Sequence, residues 1–152
     1  MVLGPSLHAS AFAYAGAGCV LLGDSGTGKS RILAEAMMHG ARMIADDQVL
    51  LRAEHGVLIA KAHATLEGVL ELRGMGLITL PFLASHPIHL VVQLRPRVHE
   101  RLPEPETAEY EGVAVPCLTV ASGPSLSVPS LLLYLKAVQE KRTLPTDWHP
   151  KA

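Results

Sequence analysis

One glycine-rich segment near the start of the chain combines the residue types that bind phosphate. It consists of Gly23, Asp24, Ser25, Gly26, Thr27, Gly28, Lys29 and Ser30. Two glycines separated by four residues and followed by Lys and Ser form the pattern of a phosphate-binding loop. In such a loop backbone N–H groups surround phosphate oxygens, the lysine adds positive charge, and the serine hydroxyl is a ligand for magnesium. The segment therefore predicts binding of a nucleoside triphosphate with Mg²⁺; the alternative is a glycine-rich turn that only precedes a helix.

Two adjacent acidic residues, Asp46 and Asp47, follow a short apolar stretch and are the first candidates to act beside the loop. Strands that run in the same direction end at the same edge of a sheet, so an aspartate pair that ends such a strand can face the loop. One carboxylate would then hold the metal and its water shell, and the other would accept a proton from an attacking hydroxyl. The alternative is an Asx turn that only leads into the next strand.

Glu71 and Arg73 form a second charged pair, on a predicted apolar strand where residues two apart project from the same face. Together they would supply a metal ligand and a phosphate clamp. A surface salt bridge is the alternative for the same spacing. Gly74 and Gly76 follow directly and favour a close approach of the backbone to a ligand.

The apolar pattern predicts the elements that must position these residues. Residues 18–23 form a short strand that enters the loop, and a helix opens at Ser30 and ends at Gly40 in a left-handed cap. Residues 41–45 form the strand before the aspartates, and residues 49–51 and 57–60 form a hairpin. Further strands are predicted at residues 88–94 and 113–120, the latter at a sheet edge because Pro116 interrupts it. A closing amphipathic helix spans residues 129–142.

Length and composition bound the architecture. The 152 residues fit one domain, residues 1–152, and a chain of this length can bury a self-sufficient core. Hydrophobic residues make up 49% of the chain but aromatic residues only 4%, so we expect an aliphatic core. The mean hydropathy of +0.28 is high for so short a chain. It leaves apolar area on the surface, which favours a homo-oligomer.

Charge and cysteine content exclude several classes of partner. A net charge of −1 provides no field that attracts nucleic acid or an anionic membrane, and no apolar run reaches the ~20 residues that cross a bilayer. Residues 1–28 contain no Lys or Arg, which argues against a signal peptide. We therefore expect a cytoplasmic protein in which Cys19 and Cys117 are buried, reduced thiols; a single disulfide is the alternative.

Three segments taken together, residues 23–30, 45–49 and 70–78, resemble the C-terminal catalytic domain of HPr kinase/phosphorylase. The likeness extends from about Leu7 to about Leu102 and is to the short form of the family, which lacks the N-terminal domain. The resemblance implies an α/β P-loop kinase domain with a mixed β-sheet, similar to the nucleotide-binding fold of phosphoenolpyruvate carboxykinase. It also implies a homo-oligomer, commonly a hexamer.

The activity that the resemblance implies is ATP-dependent phosphorylation of a serine in HPr, the small phosphocarrier protein of the sugar phosphotransferase system. The reverse activity of the family is phosphorolysis of seryl-phosphorylated HPr by inorganic phosphate. In the family pattern Asp47 matches the base that deprotonates the substrate serine, and Lys29 matches the residue that holds the phosphates of ATP. Ser30 and Glu71 match the residues that hold the magnesium ion.

Two further positions carry over, and two depart from the family pattern. His8 matches the catalytic histidine upstream of the loop, and Arg101 is the best match for the catalytic arginine downstream. Arg31 stands where an acidic residue commonly follows the Lys-Ser pair, and residues 121–125 stand where the family has a basic loop. That loop is tied to phosphorolysis, so the resemblance supports the kinase reaction more strongly than the reverse reaction.

Two other functions stay open for a phosphate-binding loop of this kind. A small-molecule kinase would transfer phosphate to a metabolite without a protein acceptor, although the chain has no obvious Arg-rich lid insertion. A nucleotide-sensing regulatory module would bind ATP and signal through its oligomer, but binding alone would not need a proton acceptor at Asp47. The pattern as a whole favours the serine kinase.

Overall fold

A computed structural model describes residues 1–98 and 104–151 of the chain. Its α-helices are α1, Lys29–Met38, and α2, Val128–Gln139, and a short 3₁₀ helix spans Ala64–Leu66. Its strands are β1 Ser6–Leu7, β2 Ala9–Tyr14, β3 Ala17–Leu22, β4 Arg42–Ala45, β5 Val49–Glu54, β6 Val57–Ala62, β7 Val69–Leu72, β8 Gly76–Thr79, β9 His86–Pro87, β10 Leu90–Arg95, β11 Glu106–Tyr110 and β12 Val113–Ala121. The predicted order of strand, loop and helix in residues 18–40 is confirmed, as are the hairpin of β5 and β6 and the closing helix. No helix in these two ranges is long and apolar enough to span a membrane.

Six strands form a mixed sheet in the order β11, β12, β10, β3, β2, β4. Strand β10 lies between β3 and β12 and runs parallel to both, whereas β2 runs antiparallel to both β3 and β4. Strands β3 and β4 therefore point in the same direction, and their carboxyl ends lie at one edge of the sheet. The predicted α/β fold with a mixed sheet is confirmed.

The main sheet is buried on both faces, and its strands alternate between two cores. In β3, Cys19 and Leu21 pack in a core with α1 and α2, whereas Val20 packs in a core with the hairpin of β5 and β6. This hairpin belongs to a second sheet with the order β1, β5, β6, β9. Successive side chains of a strand point to opposite faces, so a continuously apolar strand needs cover on both sides. The core is aliphatic as expected: among the described residues only Phe12, of all Phe, Tyr and Trp, has no exposed surface.

The close approach of the second sheet to β3 depends on a glycine. A Cβ atom on Gly18 would overlap the carbonyl oxygen of Pro87 in β9. The Gly18 N–H donates to Nδ1 of His89 at 2.9 Å, and the His89 N–H donates to the Gly18 carbonyl at 2.8 Å. His89 is therefore occupied in joining the two sheets.

Strand β12 is not an edge strand, and the prediction based on Pro116 is wrong. The strand lies between β11 and β10. Its parallel ladder with β10 begins at Cys117, so Pro116 precedes the first paired position on that side. A residue without an N–H group fits at the end of a ladder, and the proline therefore does not require an edge.

Cys19 and Cys117 are both buried and free. The prediction of buried thiols is confirmed, and the disulfide alternative is wrong. Burial raises the pKa of the Cys19 thiol far above its ordinary value, because the thiolate would be charged and desolvated.

Candidate active site

The phosphate-binding segment forms the turn between β3 and α1. Gly26 and Gly28 have φ of +85° and +95°, left-handed backbone conformations that residues with a side chain rarely adopt. Gly28 is the N-cap of α1. Among the described residues no side chain caps this helix end, and its first turn contains no acidic residue. Its unpaired N–H groups and the positive end of the helix dipole therefore suit an anion such as phosphate.

The first glycine of the segment lets the loop leave β3 close to the neighbouring strand β10. A Cβ atom on Gly23 would lie 2.5 Å from the Thr27 hydroxyl and 3.2 Å from atoms of Leu94 in β10. The Thr27 hydroxyl and N–H both donate to the Asp24 carbonyl, at 2.7 and 3.1 Å. These contacts fix the loop in a tight turn ahead of α1.

Lys29 holds its ammonium group inside the loop. The Nζ atom donates to the carbonyl oxygens of Gly23 at 2.6 Å and Asp24 at 3.1 Å. Burial lowers the pKa of Lys29, and the negative charges of Asp46, Asp24 and Asp47 act in the opposite direction. The cation is therefore already desolvated and held inside the loop, where it can attract an anion.

Asp46 ends β4 and binds the start of α1. Its carboxylate accepts hydrogen bonds from the Ser10 hydroxyl at 2.5 Å and from the Ser30 hydroxyl at 2.9 and 3.0 Å. The Asx turn alternative is wrong, because the Gln48 N–H bonds to the backbone carbonyl of Asp46 and not to its carboxylate. Asp46 is only 6% exposed, and these groups form a compact set of oxygen atoms. Sequence reasoning missed Ser10, whose one signal was a hydroxyl in the apolar strand β2.

Asp47 occupies a strained turn that directs it toward solvent. Its φ is +68°, and the hydrogen bond from Gln48 to the Asp46 carbonyl closes a three-residue turn around it. Its side chain is 71% exposed, in contrast to the buried Asp46. The two neighbouring carboxylates thus have different surroundings. The Asp46 carboxylate accepts hydrogen bonds from buried hydroxyls, and the Asp47 carboxylate is open to solvent.

His8 connects Asp47 to the phosphate-binding loop. The ring Nδ1 lies 3.1 Å from the Asp47 carbonyl oxygen and 3.5 Å from its carboxylate, so the proton belongs on Nδ1. The opposite nitrogen, Nε2, then accepts from the Ser25 hydroxyl at 3.3 Å. The Ala9 N–H also donates to the Asp47 carbonyl, at 3.3 Å. The histidine therefore orients Asp47 beside the loop.

The hairpin of β7 and β8 forms the opposite wall of the site. Strand β7 ends at Leu72, so Arg73 lies in the hairpin turn. The prediction that Glu71 and Arg73 project from the same strand face is therefore wrong. Gly74 and Gly76 have φ of +79° and +141°, and this turn explains both glycines. Glu71 and Arg73, which both lie in the described ranges, form no ion pair there, so the salt-bridge alternative is wrong.

The loop, the aspartates and the β7–β8 hairpin enclose one cleft of about 740 Å³, a volume typical of sites for small molecules. It is lined by His8, Ser25, Gly26, Gly28, Lys29, Ser30, Arg31, Ala34, Asp46, Asp47, Glu71, Leu72, Arg73 and Met75. The predicted residues Gly23, Asp24 and Thr27 shape the loop behind this lining. Arg101 lies outside the described residues.

The oxygen atoms around Ser30 fit a magnesium ion. The hydroxyl of Ser30 and the carboxylate of Asp46 are already within 3.0 Å of each other, and Glu71 lines the same cleft. Magnesium prefers such hard oxygen donors and usually takes only one or two carboxylates besides substrate phosphates. No group of three or more His, Cys, Asp or Glu side chains in residues 1–98 and 104–151 has the geometry of a complete metal site. This donor set fits a magnesium ion that would take its remaining ligands from phosphate.

Comparisons with known proteins identify relatives of the chain. It is 33% identical over 129 residues to the HPr kinase/phosphorylase of Clostridium novyi (strain NT), an alignment that covers 77% of this chain and 42% of the relative. It is 35% identical over 128 residues to the HPr kinase/phosphorylase of Limosilactobacillus reuteri (strain DSM 20016), with 76% and 40% covered. The chain thus spans less than half the length of these curated relatives.

A solved structure and a family model complete the comparison. The structure of the Hpr(Ser) kinase/phosphatase from Coxiella burnetii matches with a TM-score of 0.74 and 23% identity over 90% of each chain, which shows a shared fold. The family model described as the HPr Serine kinase C-terminal domain matches residues 3–132. Because that match spans most of the chain, including the loop, both aspartates and the β7–β8 hairpin, the chain belongs to the HPr serine kinase C-terminal domain family.

Proposed function

We propose that this chain transfers the terminal phosphate of ATP to a serine hydroxyl of HPr. The observation that carries the proposal is the connection of Asp47 to the phosphate-binding loop through His8, with contacts of 3.1 to 3.5 Å. Asp47 is at once beside the loop and 71% exposed, as a base that must meet a protein substrate requires. The names of the curated relatives, HPr kinase/phosphorylase, support the choice of HPr as that substrate.

The residues around Asp47 and the phosphate-binding loop have defined parts in the proposed reaction. The serine oxygen of HPr attacks the terminal phosphorus, the bond from that phosphorus to the bridging oxygen breaks, and ADP leaves. The serine proton passes to the Asp47 carboxylate, which His8 orients. The N–H groups at the start of α1 and the Lys29 ammonium group bind the phosphate oxygens. Phosphoryl transfer relies on positioning and charge stabilisation, so a weak but well-placed base is sufficient.

Ser30, Asp46 and Glu71 would hold the magnesium ion that accompanies ATP. When bound, the ion neutralises charge on the phosphate oxygens. Asp46 also accepts a hydrogen bond from the Ser30 hydroxyl, which holds the Ser30 oxygen beside the loop. Arg101 stays a predicted catalytic residue, on the family pattern alone.

The assembly and location of the protein are also proposals. Residues 1–152 would act as one P-loop kinase domain in a homo-oligomer, a hexamer by resemblance, in the cytoplasm. Exposed apolar side chains such as Met38, Leu77 and Leu133, each more than 70% exposed, support an oligomer because such surface is usually covered. The free thiols Cys19 and Cys117 suit a reducing compartment. A monomeric mass in light scattering at working concentration would contradict the oligomer.

A phosphotransfer assay tests the proposed function. The protein is incubated with magnesium and γ-labelled ATP, first with HPr and then with HPr in which the acceptor serine is replaced by alanine. We expect label on HPr and none on the alanine variant, because the serine oxygen is the nucleophile. Adding inorganic phosphate to labelled HPr then tests the reverse reaction, which would release the label as pyrophosphate.

Two other results would separate the competing functions. ATP binding without label on either form of HPr would favour a nucleotide-sensing module. Label on a small molecule from a metabolite mixture, with none on HPr, would favour a small-molecule kinase. Either result would refute the proposed protein kinase.

A further inference from the structure

Arg31 lines the cleft but has no part in the reaction proposed above. It is the third residue of α1, directly after Ser30, and its side chain is 49% exposed. Its Nη2 and Nε atoms lie 3.2 and 3.4 Å from the position that a Cβ atom on Gly28 would occupy. The guanidinium therefore packs against the last glycine of the phosphate-binding loop.

Arg31 makes only weak contacts with the rest of the chain. Nη2 donates to the Gly123 carbonyl at 3.4 Å, and Nη1 lies 3.7 Å from the Glu35 carboxylate, one helical turn further along α1. Both distances are at the long end for such contacts. A guanidinium has five N–H donors in a planar fork that matches phosphate oxygens. Binding of phosphate could therefore replace these contacts at little loss.

The position of Arg31 in the helix is unfavourable without an anion. Positive side chains near the N-terminus of a helix oppose the helix dipole. Arg31 lies in the first turn of α1, and that turn contains no acidic residue to offset its charge. A bound polyphosphate would offset that charge, so the arrangement favours an anionic ligand.

The sheet order places Arg31 and Asp47 on opposite flanks of the loop. The loop follows β3; Asp47 follows β4, two strands away on one side, and Gly123 follows β12, two strands away on the other. Arg31 reaches toward Gly123, whereas His8 joins Ser25 to Asp47. A triphosphate with its terminal group beside Asp47 therefore extends its nucleoside end toward Arg31.

We propose that Arg31 binds the α-phosphate of the bound nucleotide, which is the phosphate next to the nucleoside. This inference rests on the proposed function, which directs the terminal phosphate to Asp47. Arg31 then selects nucleoside di- and triphosphates over inorganic pyrophosphate, because pyrophosphate can occupy the terminal positions without reaching the arginine.

Calorimetric titration of Arg31→Gln with magnesium complexes of ATP, ADP and pyrophosphate tests the inference. We expect affinity for ATP and ADP to fall by about tenfold, as for loss of one charge-assisted hydrogen-bonded contact. Affinity for pyrophosphate stays close to that of the parent protein. In the transfer assay the KM for ATP rises without a matching fall in kcat, and Arg31→Lys, which restores the charge but not the fork, gives intermediate affinity.

Arg52→Gln is the matched control. Arg52 on β5 has nearly the same side-chain exposure, 48%, and pairs with Glu54 at 3.0 Å, but it is not part of the cleft lining. This variant should bind all three ligands as the parent does. Equal losses for all three ligands in Arg31→Gln, or ATP affinity within about twofold of the parent, would overturn the inference.

The inference and the proposed function can fail separately. A parent protein that binds ATP but transfers nothing to HPr would refute the kinase alone, and the titrations would still decide the role of Arg31. A parent protein that phosphorylates HPr, together with an Arg31→Gln variant that keeps its ATP affinity, would refute the role of Arg31 alone.

Discussion

Replacement of Asp47 by asparagine is expected to reduce phosphate transfer to HPr by about 10²- to 10⁴-fold, the range for loss of a general base. The amide cannot accept the serine proton, but it keeps the shape of the side chain. Nucleotide affinity should stay at the parent value, because the loop and the Lys29 ammonium group are unchanged. Single-turnover transfer assays and calorimetric titration with MgATP measure the two quantities independently.

The fold of the Asp47→Asn variant should be preserved for a specific reason. Asp47 has φ of +68°, a left-handed conformation that asparagine tolerates well. Glu111→Gln is a suitable control, since Glu111 is an exposed acidic residue with φ of +48° in the turn between β11 and β12. That control should transfer phosphate normally. Near-parent transfer by Asp47→Asn, or a loss of ATP affinity equal to its loss of transfer, would refute the role of Asp47.

Replacement of Lys29 by methionine is expected to weaken MgATP binding on the order of 100-fold, because a charged donor to the phosphates is lost. Methionine keeps much of the apolar stem of this buried side chain. The variant also loses the hydrogen bonds from Nζ to the carbonyls of Gly23 and Asp24. Calorimetric titration measures the affinity, and thermal melting without nucleotide reports whether the loop still folds.

The pH dependence of binding gives a second test of Lys29. Burial lowers the pKa of Lys29 in the free protein, and bound phosphate favours its charged form, so nucleotide binding takes up a proton as the pH approaches that lowered pKa. ATP affinity of the parent should therefore fall with rising pH, and this fall should be smaller in Lys29→Met. Lys61→Met, a change on the exposed face of β6, should behave as the parent. An unchanged affinity in Lys29→Met would contradict the assignment.

The different surroundings of Asp46 and Asp47 explain why replacing Asp47 should leave the fold intact, whereas replacing Asp46 should not. Asp46 is buried and accepts hydrogen bonds from Ser10 and Ser30, so its loss would leave two hydroxyls without an acceptor. Among the described residues, the Asp47 carboxylate has no contact of this kind other than the one with His8. A proton acceptor that is not needed for folding is free to be used in the reaction.

Some properties of the site followed from local sequence. The loop in residues 23–30 was predictable because adjacent residues supply all its parts: glycines for the turn, N–H groups at a helix start, a lysine and a hydroxyl. The strand before it and the helix after it were equally local, since apolar periodicity within one element reports its own type. The aliphatic core likewise follows from a composition with few aromatic residues.

Other properties were decided by contacts between distant parts of the chain. Neighbouring residues at a strand end can point in different directions, and the pairing of β4 with β2 determines which aspartate meets Ser10. That pairing shifts register between Ala11 and Phe12, a change that no local pattern reports. The interior place of β12 and the location of Arg73 in a turn also depended on partners far away in sequence.

The amino-acid sequence by itself determined that this protein has a phosphate-binding loop between a strand and a helix, because that device is built from contiguous residues. Only the tertiary structure decided that Asp46 lies buried against Ser30, that Asp47 stands exposed beside His8, and that Arg31 lies on the opposite flank. The physical reason is that strand order and register, set by the packing of two cores, bring together side chains that are far apart along the chain.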